Sequence, residues 1–244
     1  MATVSGGAPV RAERVSAWDI GITQSVQKLF RVDVDFWDRR FRNFDDPNVL
    51  FSTQIIFPNS VAAGFARGID ARLEVPIHNG WSSYASYSNS RILQTGPVNG
   101  GLFLTDNVLA IGPGTRFVPD HDQRNVGDAG ITWNHRRNGL WATLSARYES
   151  GVPIEVDPDE LGSLRPLPGA DLVDLRRGRV RPHTVASFSA GMDLIESRHL
   201  QMKAQMDIQN LTNTSYLYNF GNPFSGTHFG SPRLIAGRLR FVFR

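Results

Sequence analysis

Apolar and polar residues alternate with a period of two along two stretches near the C-terminus, residues 199–211 and 234–244. In the second stretch Leu239 and Phe241 fall on one side, whereas Arg238 and Arg240 fall on the other. A strict period of two indicates a β-strand with one apolar and one polar face. Such a strand suits the wall of a membrane β-barrel, where one face contacts lipid and the other lines a polar lumen.

The bulk composition is compatible with that interpretation. Of the 244 residues 41% are hydrophobic, and the mean hydropathy is −0.26, but a barrel wall places only every second residue against lipid. No apolar run approaches the ~18–20 residues of a spanning helix, which argues against a helical membrane protein. The first residues contain no basic region followed by an apolar stretch, so we identify no signal peptide. The chain has no cysteine, which excludes disulfides and thiolate sites.

The charge pattern argues against a nucleic-acid partner. The net charge is only +3, and arginines stand beside acids, as in Asp70, Arg72 and Glu74. A nucleic-acid-binding chain is expected to gather its basic residues in one patch interleaved with aromatic residues. One basic cluster does occur at residues 174–181. A solvated loop that faces water or anionic headgroups is its simplest interpretation, and a ligand site is the alternative.

Seven further stretches alternate in the same way, so the sequence predicts about nine strands. These stretches begin at Trp18, Phe30, Ile69, Trp81, Ala129, Leu140 and Ala186. The connections alternate in length, with short links at 27–29, 76–80, 136–139 and 196–198 and long ones at 43–62, 93–123, 151–182 and 212–233. Outer-membrane barrels have short periplasmic turns and long extracellular loops. A soluble β-sandwich, the alternative, ordinarily has short loops. We therefore predict an all-β fold, an antiparallel up-and-down transmembrane β-barrel portion.

Several motifs resemble those of the TonB-dependent outer-membrane receptors. Residues 210–216, Asn-Leu-Thr-Asn-Thr-Ser-Tyr, are similar to the Asn-Leu-x-Asn-x-x-Tyr pattern on the penultimate strand of that family. Residues 220–224 and the Ser-Pro-Arg at 231–233 look like the family's last loop and the entry to its closing strand. Gly-Ile-Asp at 68–70 resembles a usual strand entry of the family.

The resemblance implies a share of a 22-stranded barrel with a plug in its lumen. The family imports scarce solutes such as siderophores, cobalamin or oligosaccharides, and the TonB complex supplies the energy through a box ahead of the plug. We identify residues 1–244 as the C-terminal portion of such a barrel in the bacterial outer membrane, and we expect plug, TonB box and signal peptide to be absent. A nine-strand chain is not a complete barrel, because bacterial single-chain barrels have an even strand number.

The expected partners follow from the same resemblance. They are outer-membrane lipid, an unknown small-molecule ligand, and the TonB complex if the full protein has plug and box. The barrel assembly machinery would recognise the C-terminal strand, although Arg244 follows Phe243 where the family usually ends on an aromatic residue. A passive channel or an adhesin-like barrel without energy coupling is the alternative function.

Ligand capture is assigned to the long loops and to the polar wall. The candidate ligand-binding residues are Arg176, Arg177, Tyr216, Tyr218, Phe220, Phe224, Arg238 and Arg240. Five further aromatic residues on the strands have a simpler interpretation as membrane-interface residues: Trp18, Trp81, Trp133, Tyr87 and Tyr148.

Motifs for other chemistry are weak. Asp120, His121 and Asp122, with Asp128 nearby, have ligand types that suit a divalent cation, but a solvated loop is the simpler interpretation. The acidic residues at 157–160 lack the spacing and glycine of an EF-hand. No nucleophile elbow, phosphate loop or zinc helix occurs. We therefore expect no metal, no cofactor and no enzymatic activity.

Overall fold

Nine long strands form one antiparallel sheet. The computed structural model describes residues 11–45, 48–49, 56–57, 59–100, 111–135, 139–154, 164–222 and 226–243. The strands are β1 (Arg14–Val26), β2 (Phe30–Asp45), β3 (Asn59–His78), β4 (Trp81–Gly100), β5 (Asn125–His135), β6 (Leu140–Glu149), β7 (His183–Glu196), β8 (Leu200–Gln209) and β9 (Leu234–Phe243). Each pairs with its neighbours in sequence, so the predicted up-and-down order of nine strands is confirmed.

The connections carry only short elements. The pairs Asn48–Val49 with Ile56–Phe57, Val173–Asp174 with Arg179–Val180, and Leu217–Asn222 with Gly226–Phe229 are small hairpins. Arg116–Phe117 pairs with β4, and Ala170–Leu172 is a 3-10 turn. Within the described ranges no helix is long and apolar enough to cross a membrane.

The pairing register gathers the apolar residues of neighbouring strands on one face. Met202 stands opposite Phe241 across β8 and β9, and Leu144 stands opposite Phe188 across β6 and β7. On β9 this face is open, with Phe243 79% exposed. An open apolar face is what a strand presents to lipid. The five aromatic residues predicted for the membrane interface all lie on it, and Trp81 stands directly opposite Trp133 with ring centroids 6.3 Å apart.

The opposite face of the sheet is polar, and several of its charges stand in complementary pairs. Asp33 stands opposite Arg72, and Asp128 stands opposite Arg147. Cross-strand neighbours of opposite charge stabilise a sheet by roughly 0.2–1 kcal/mol per pair. In a membrane barrel this face lines the lumen.

Two strands are about twice as long as a bilayer crossing requires, which corrects the predicted loop bounds. β3 and β4 have 20 residues each, whereas about 9–11 tilted residues cross a bilayer. Their pairing continues from the short turn at 79–80 to Asn59 and Gly100, because each strand supplies the backbone partners that the other needs. The loops predicted at 43–62 and 93–123 are therefore shorter, and begin after Asp45 and Gly100.

The two long connections that follow β6 and β8 pack against each other. Their buried apolar side chains form one group, which we call the loop cluster: Ile154, Val173, Val180, Leu217 and Phe220. Leu217 and Val180 are 1% exposed, so the cluster is a small hydrophobic core outside the sheet. Burial of such side chains contributes about 1.5–3 kcal/mol each, which holds these connections in a defined shape.

Candidate functional site

Two adjoining cavities open on the polar face of the sheet, below the loop cluster. Their volumes are about 500 and 190 Å³. They share four lining residues, Val185 and Ser187 of β7 and Tyr216 and Tyr218 of the connection before β9. We call the combined space the rim groove. A concave site of this size with a few convergent polar groups is the usual form of a small-molecule site.

Asn210 positions the connection that carries the two tyrosines. Its side-chain amide donates to the carbonyls of Thr214 and Ser231 at 2.9 and 3.0 Å, and its side-chain oxygen accepts from the Thr214 amide at 2.8 Å. The residue is 2% exposed and has a φ of 50°, a left-handed value that asparagine tolerates better than most residues. One side chain therefore closes the turn after β8 and ties it to the chain segment that enters β9.

Tyr216 lies against the backbone on the far side of this connection. The Gly230 amide donates to the Tyr216 carbonyl at 2.8 Å, and a Cβ at Gly230 would stand 2.0 Å from the ring of Tyr216. The ring of Tyr218 meets that of Tyr216 edge-on at 5.3 Å, with the two hydroxyls 3.2 Å apart. Burial, followed by the bond to Tyr218, raises the pKa of Tyr216 to about 12. Tyr216 is consequently neutral over the physiological pH range.

A row of charged and polar side chains crosses the polar face toward the groove. The Tyr84 hydroxyl donates to Asp128 at 3.1 Å, and Arg147 approaches the other oxygen of that carboxylate at 3.5 Å. Arg147 Nε also donates to Glu149 at 2.7 Å. Arg147 thus stands between two carboxylates and is held by both.

The row continues from Glu149 to the tyrosines. The second oxygen of Glu149 lies 3.3 Å from His183 Nε2, and the His183 side chain is only 7% exposed. The imidazole stacks on the ring of Tyr216 with centroids 4.4 Å apart and an interplanar angle of 25°. We call the connected set the polar row: Tyr84, Asp128, Arg147, Glu149, His183, Tyr216 and Tyr218. It links wall strands β4 to β7 with the last long connection.

The opposite side of the groove is formed by β7, β8 and β9. Asp207 accepts a hydrogen bond from Ser189 Oγ at 2.7 Å and two from Gln205 Nε2 at 2.9 Å. Arg238 stands opposite Gln205 in the strand pairing and lines the same cavity. Across the whole groove, therefore, three carboxylates face two guanidinium groups.

The structure brings together three of the predicted ligand residues and separates the others. Tyr216, Tyr218 and Arg238 line the rim groove. Arg240 stands opposite Lys203, closer to the short turn, and lines neither cavity. Phe220 is 2% exposed inside the loop cluster. Its ring packs between the two connections and is not open to a ligand in this structure. Phe224 lies outside the described residues.

The other two predicted ligand residues occupy an exposed hairpin turn. Arg176 and Arg177 follow Asp174, whose Oδ1 accepts their backbone amides at 3.1 and 3.2 Å. The side chain of Arg177 is 79% exposed. Their guanidinium groups line neither part of the groove.

The acidic residues considered as metal ligands have protein partners instead. Asp122 has a side chain only 2% exposed, accepts the Ile92 amide at 2.8 Å, and is paired with Arg179 at 3.2 Å. Its predicted solvation is therefore wrong. Asp120 bonds to His121 at 2.9 Å and to Asn222 at 3.1 Å. In the part of the chain that the structure describes, no three His, Cys, Asp or Glu side chains are grouped to hold a metal. Residues 157–160 lie outside it.

Sequence reasoning missed most of the polar row. The sequence indicates Asp128 only as a neighbour of Asp120, His121 and Asp122, and it does not mark Arg147, Glu149 or His183 as site residues. Each occupies a polar position on a strand, and only the pairing register shows that they touch. The sequence does contain one indication of these contacts: charged residues occur on successive strands at similar distances from the turns.

An antiparallel sheet with one apolar and one polar face has the architecture of an outer-membrane β-barrel wall. The family described as TonB dependent receptor-like, beta-barrel, matches residues 1–232, and the chain belongs to this family. Its barrels are outer-membrane proteins, and the solved structures that resemble this chain are receptors and transporters. No curated protein sequence is a significant match.

Three solved structures show the likeness in fold. The ferric-catecholate import receptor Fiu from E. coli K12 in its closed form has a TM-score of 0.59 at 14% identity, over 94% of this chain and 27% of Fiu. FpvA from P. aeruginosa, bound to a heterologous pyoverdine with iron, has a TM-score of 0.61 at 12% identity, over 96% and 28%. The copper transporter OprC has a TM-score of 0.59 at 11% identity, over 95% and 32%. The chain thus spans about a third or less of these proteins.

Proposed function

We propose that this chain is the C-terminal portion of the barrel of a receptor that takes up a scarce solute in a TonB-dependent manner. The solute belongs to the siderophore, cobalamin or oligosaccharide class. It binds in the rim groove, and the polar lumen wall conducts it inward. The chain sits in outer-membrane lipid, reaches the TonB complex through the plug and box of the full receptor, and is inserted by the barrel assembly machinery.

The observation that carries this proposal is the rim groove itself. Tyr216 and Tyr218 are held there by Asn210, Gly230 and the stacked His183. A passive pore needs a wide polar lumen but no preorganised site, whereas a receptor gains affinity when its binding groups are already ordered. Membership of the family supports the same function. Among the structural neighbours, Fiu is a ferric-catecholate import receptor and FpvA is bound to a pyoverdine with iron.

Energy-dependent uptake tests the proposal. Cells that carry the full receptor containing this chain would be compared with a deletion strain for accumulation of ferric siderophores, cobalamin and maltooligosaccharides. We expect one class to accumulate only when the receptor is present, and a protonophore to abolish that accumulation. Receptor-dependent passage that a protonophore leaves unchanged would favour a passive channel, and surface binding without passage would favour an adhesin-like barrel.

A further inference from the structure

We propose that the rim groove binds a neutral, polyhydroxylated ligand of the carbohydrate class, with the exposed ring of Tyr218 as its stacking surface. This inference rests on the proposed function and narrows its solute class. Three features of the groove support it: the lack of an excess of positive charge, the exposed orientation of the Tyr218 ring, and the unused hydrogen-bonding capacity of the walls.

The groove has no excess of positive charge, because three carboxylates face two guanidinium groups. Arg147 lies between Asp128 and Glu149, and Arg238 lies beside Asp207 in the same cavity. An anionic metal chelate is attracted by an excess of positive charge in the site, and the groove has none. The exposed guanidinium groups of Arg176 and Arg177 lie outside it.

Tyr218 presents an aromatic face to the groove. The residue is 53% exposed, although its ring is held edge-on against Tyr216 with an interplanar angle of 78°. A T-shaped contact covers at most one face of the Tyr218 ring, and a rigid aromatic ring offers large contact area at low entropic cost. The C–H face of a sugar ring is a flat apolar surface that matches such a platform.

The walls around Tyr218 carry small hydroxyl groups and a carboxylate with spare capacity. The two oxygens of an ionised carboxylate have about four acceptor sites. The Asp207 carboxylate uses three of these sites for the hydrogen bonds from Ser189 and Gln205. The remaining site lies on the oxygen that only Gln205 contacts. Ser187 and Ser189 line the same cavity. The Ser187 hydroxyl can donate and accept, whereas Ser189 already donates to Asp207 and can only accept from a ligand. A sugar hydroxyl has the same dual capacity, so it can bond to both kinds of group.

The space available suits a short saccharide. The larger cavity has about 500 Å³, within the ~300–1,000 Å³ of small-molecule sites. It continues past Tyr216 and Tyr218 into the smaller cavity of about 190 Å³. An elongated ligand with several similar units can occupy both parts and pass over the Tyr218 ring.

The test uses outer-membrane vesicles that contain the full receptor. The probes are fluorescently labelled maltotriose, cellotriose and xylotriose, with a ferric tricatecholate anion and cobalamin as comparators. We expect at least one trisaccharide to bind saturably. Tyr218→Ala should weaken that binding about tenfold or more, and Tyr218→Phe should keep it within about twofold, because the ring face and not the hydroxyl makes the contact.

Tyr148→Ala is the matched control, because it truncates a tyrosine on the apolar face; its binding should equal that of the unsubstituted receptor. Heat-modifiable migration of every variant verifies that each barrel is folded. Trisaccharide binding that survives Tyr218→Ala unchanged would overturn the assignment to this groove.

The two proposals fail in different ways. If none of the trisaccharides binds while the ferric complex or cobalamin accumulates in an energy-dependent manner, the carbohydrate inference is wrong and the proposed uptake function stands. If a trisaccharide binds at Tyr218 but passes inward without energy, the carbohydrate inference stands and TonB-dependent uptake is wrong.

Discussion

Arg179 and Asp122 form an ion pair that joins two extracellular connections 57 residues apart in the sequence. Two nitrogens of the guanidinium approach Asp122 Oδ2 at 3.3 and 3.2 Å, and Arg179 also donates to the Asp122 carbonyl. The connection after β4 is thereby fastened to the connection after β6. Since the latter packs against the last connection through the loop cluster, three extracellular segments form one body.

Removing Arg179 should loosen this body. Arg179→Met leaves the buried Asp122 carboxylate with the Ile92 amide and with one cation, Arg124, which approaches only to 3.7 Å. Loss of one partner of a fully buried pair costs about 3–5 kcal/mol, and we expect a smaller loss here because the Arg179 side chain is 24% exposed. Hydrogen exchange should show faster opening of residues 164–182, and proteases should cut there sooner. Arg177→Met, at an exposed guanidinium of the same hairpin, is the control and should change neither rate. Equal behaviour of the two variants would show that the pair has no structural role.

Acid should weaken the contact between Asp120 and the last connection. The hydrogen bond from His121 lowers the pKa of Asp120 below its ordinary value of 3.8, although partial burial opposes the shift. A carboxyl with a lowered folded-state pKa stabilises the fold above about pH 4, and that stabilisation is lost as the pH falls through the folded-state value. We expect protease sensitivity of the loops to rise below pH 4. Asp120→Asn should reduce this pH dependence; an unaltered profile would contradict the assignment.

Two substitutions at Asn210 separate the contributions of its backbone conformation and of its side chain to stability. Asn210→Gly keeps the left-handed φ of 50° at low cost but removes the bonds to Thr214 and Ser231. Asn210→Ala removes the same bonds and adds a strained backbone. Buried groups left unpaired cost about 1–3 kcal/mol, and the left-handed strain adds about 1 kcal/mol. Urea unfolding should therefore rank the stability as unsubstituted, then Gly, then Ala. A Gly variant as stable as the unsubstituted protein would show that only φ matters.

Some parts of the architecture were predictable because their signals are local. A period of two identifies a strand from its own residues, so all nine strands were found. The length of β4 was not predictable, because its upper part from Leu93 to Gly100 is held by cross-strand pairing with β3 and not by alternation alone.

The site was harder to predict because its determinants are non-local. Tyr218 and Phe220 are both aromatic residues in one polar connection, and no feature of the sequence distinguishes their roles. Packing separates them: Tyr218 faces the groove, whereas Phe220 lies among Val173, Val180 and Leu217. The contact between Arg147 and Asp128 likewise depends on register, which a shift of one residue would destroy.

The Tyr84 ring covers Gly130, its direct partner across β4 and β5. A Cβ at Gly130 would stand 2.5 Å from Tyr84 Cε1, so Gly130→Ala must displace the ring and its bond to Asp128. Overpacking of this kind costs about 1–3 kcal/mol. Gly237→Ala on β9 is the matched control, because nothing lies within 4 Å of its Cβ, and alanine there should be neutral or slightly stabilising. Urea unfolding of both variants in lipid vesicles measures the difference.

Adding Tyr84→Ala to Gly130→Ala should recover part of the lost free energy of unfolding, because the steric conflict is removed. A strictly additive double variant would show that the ring and the glycine act independently.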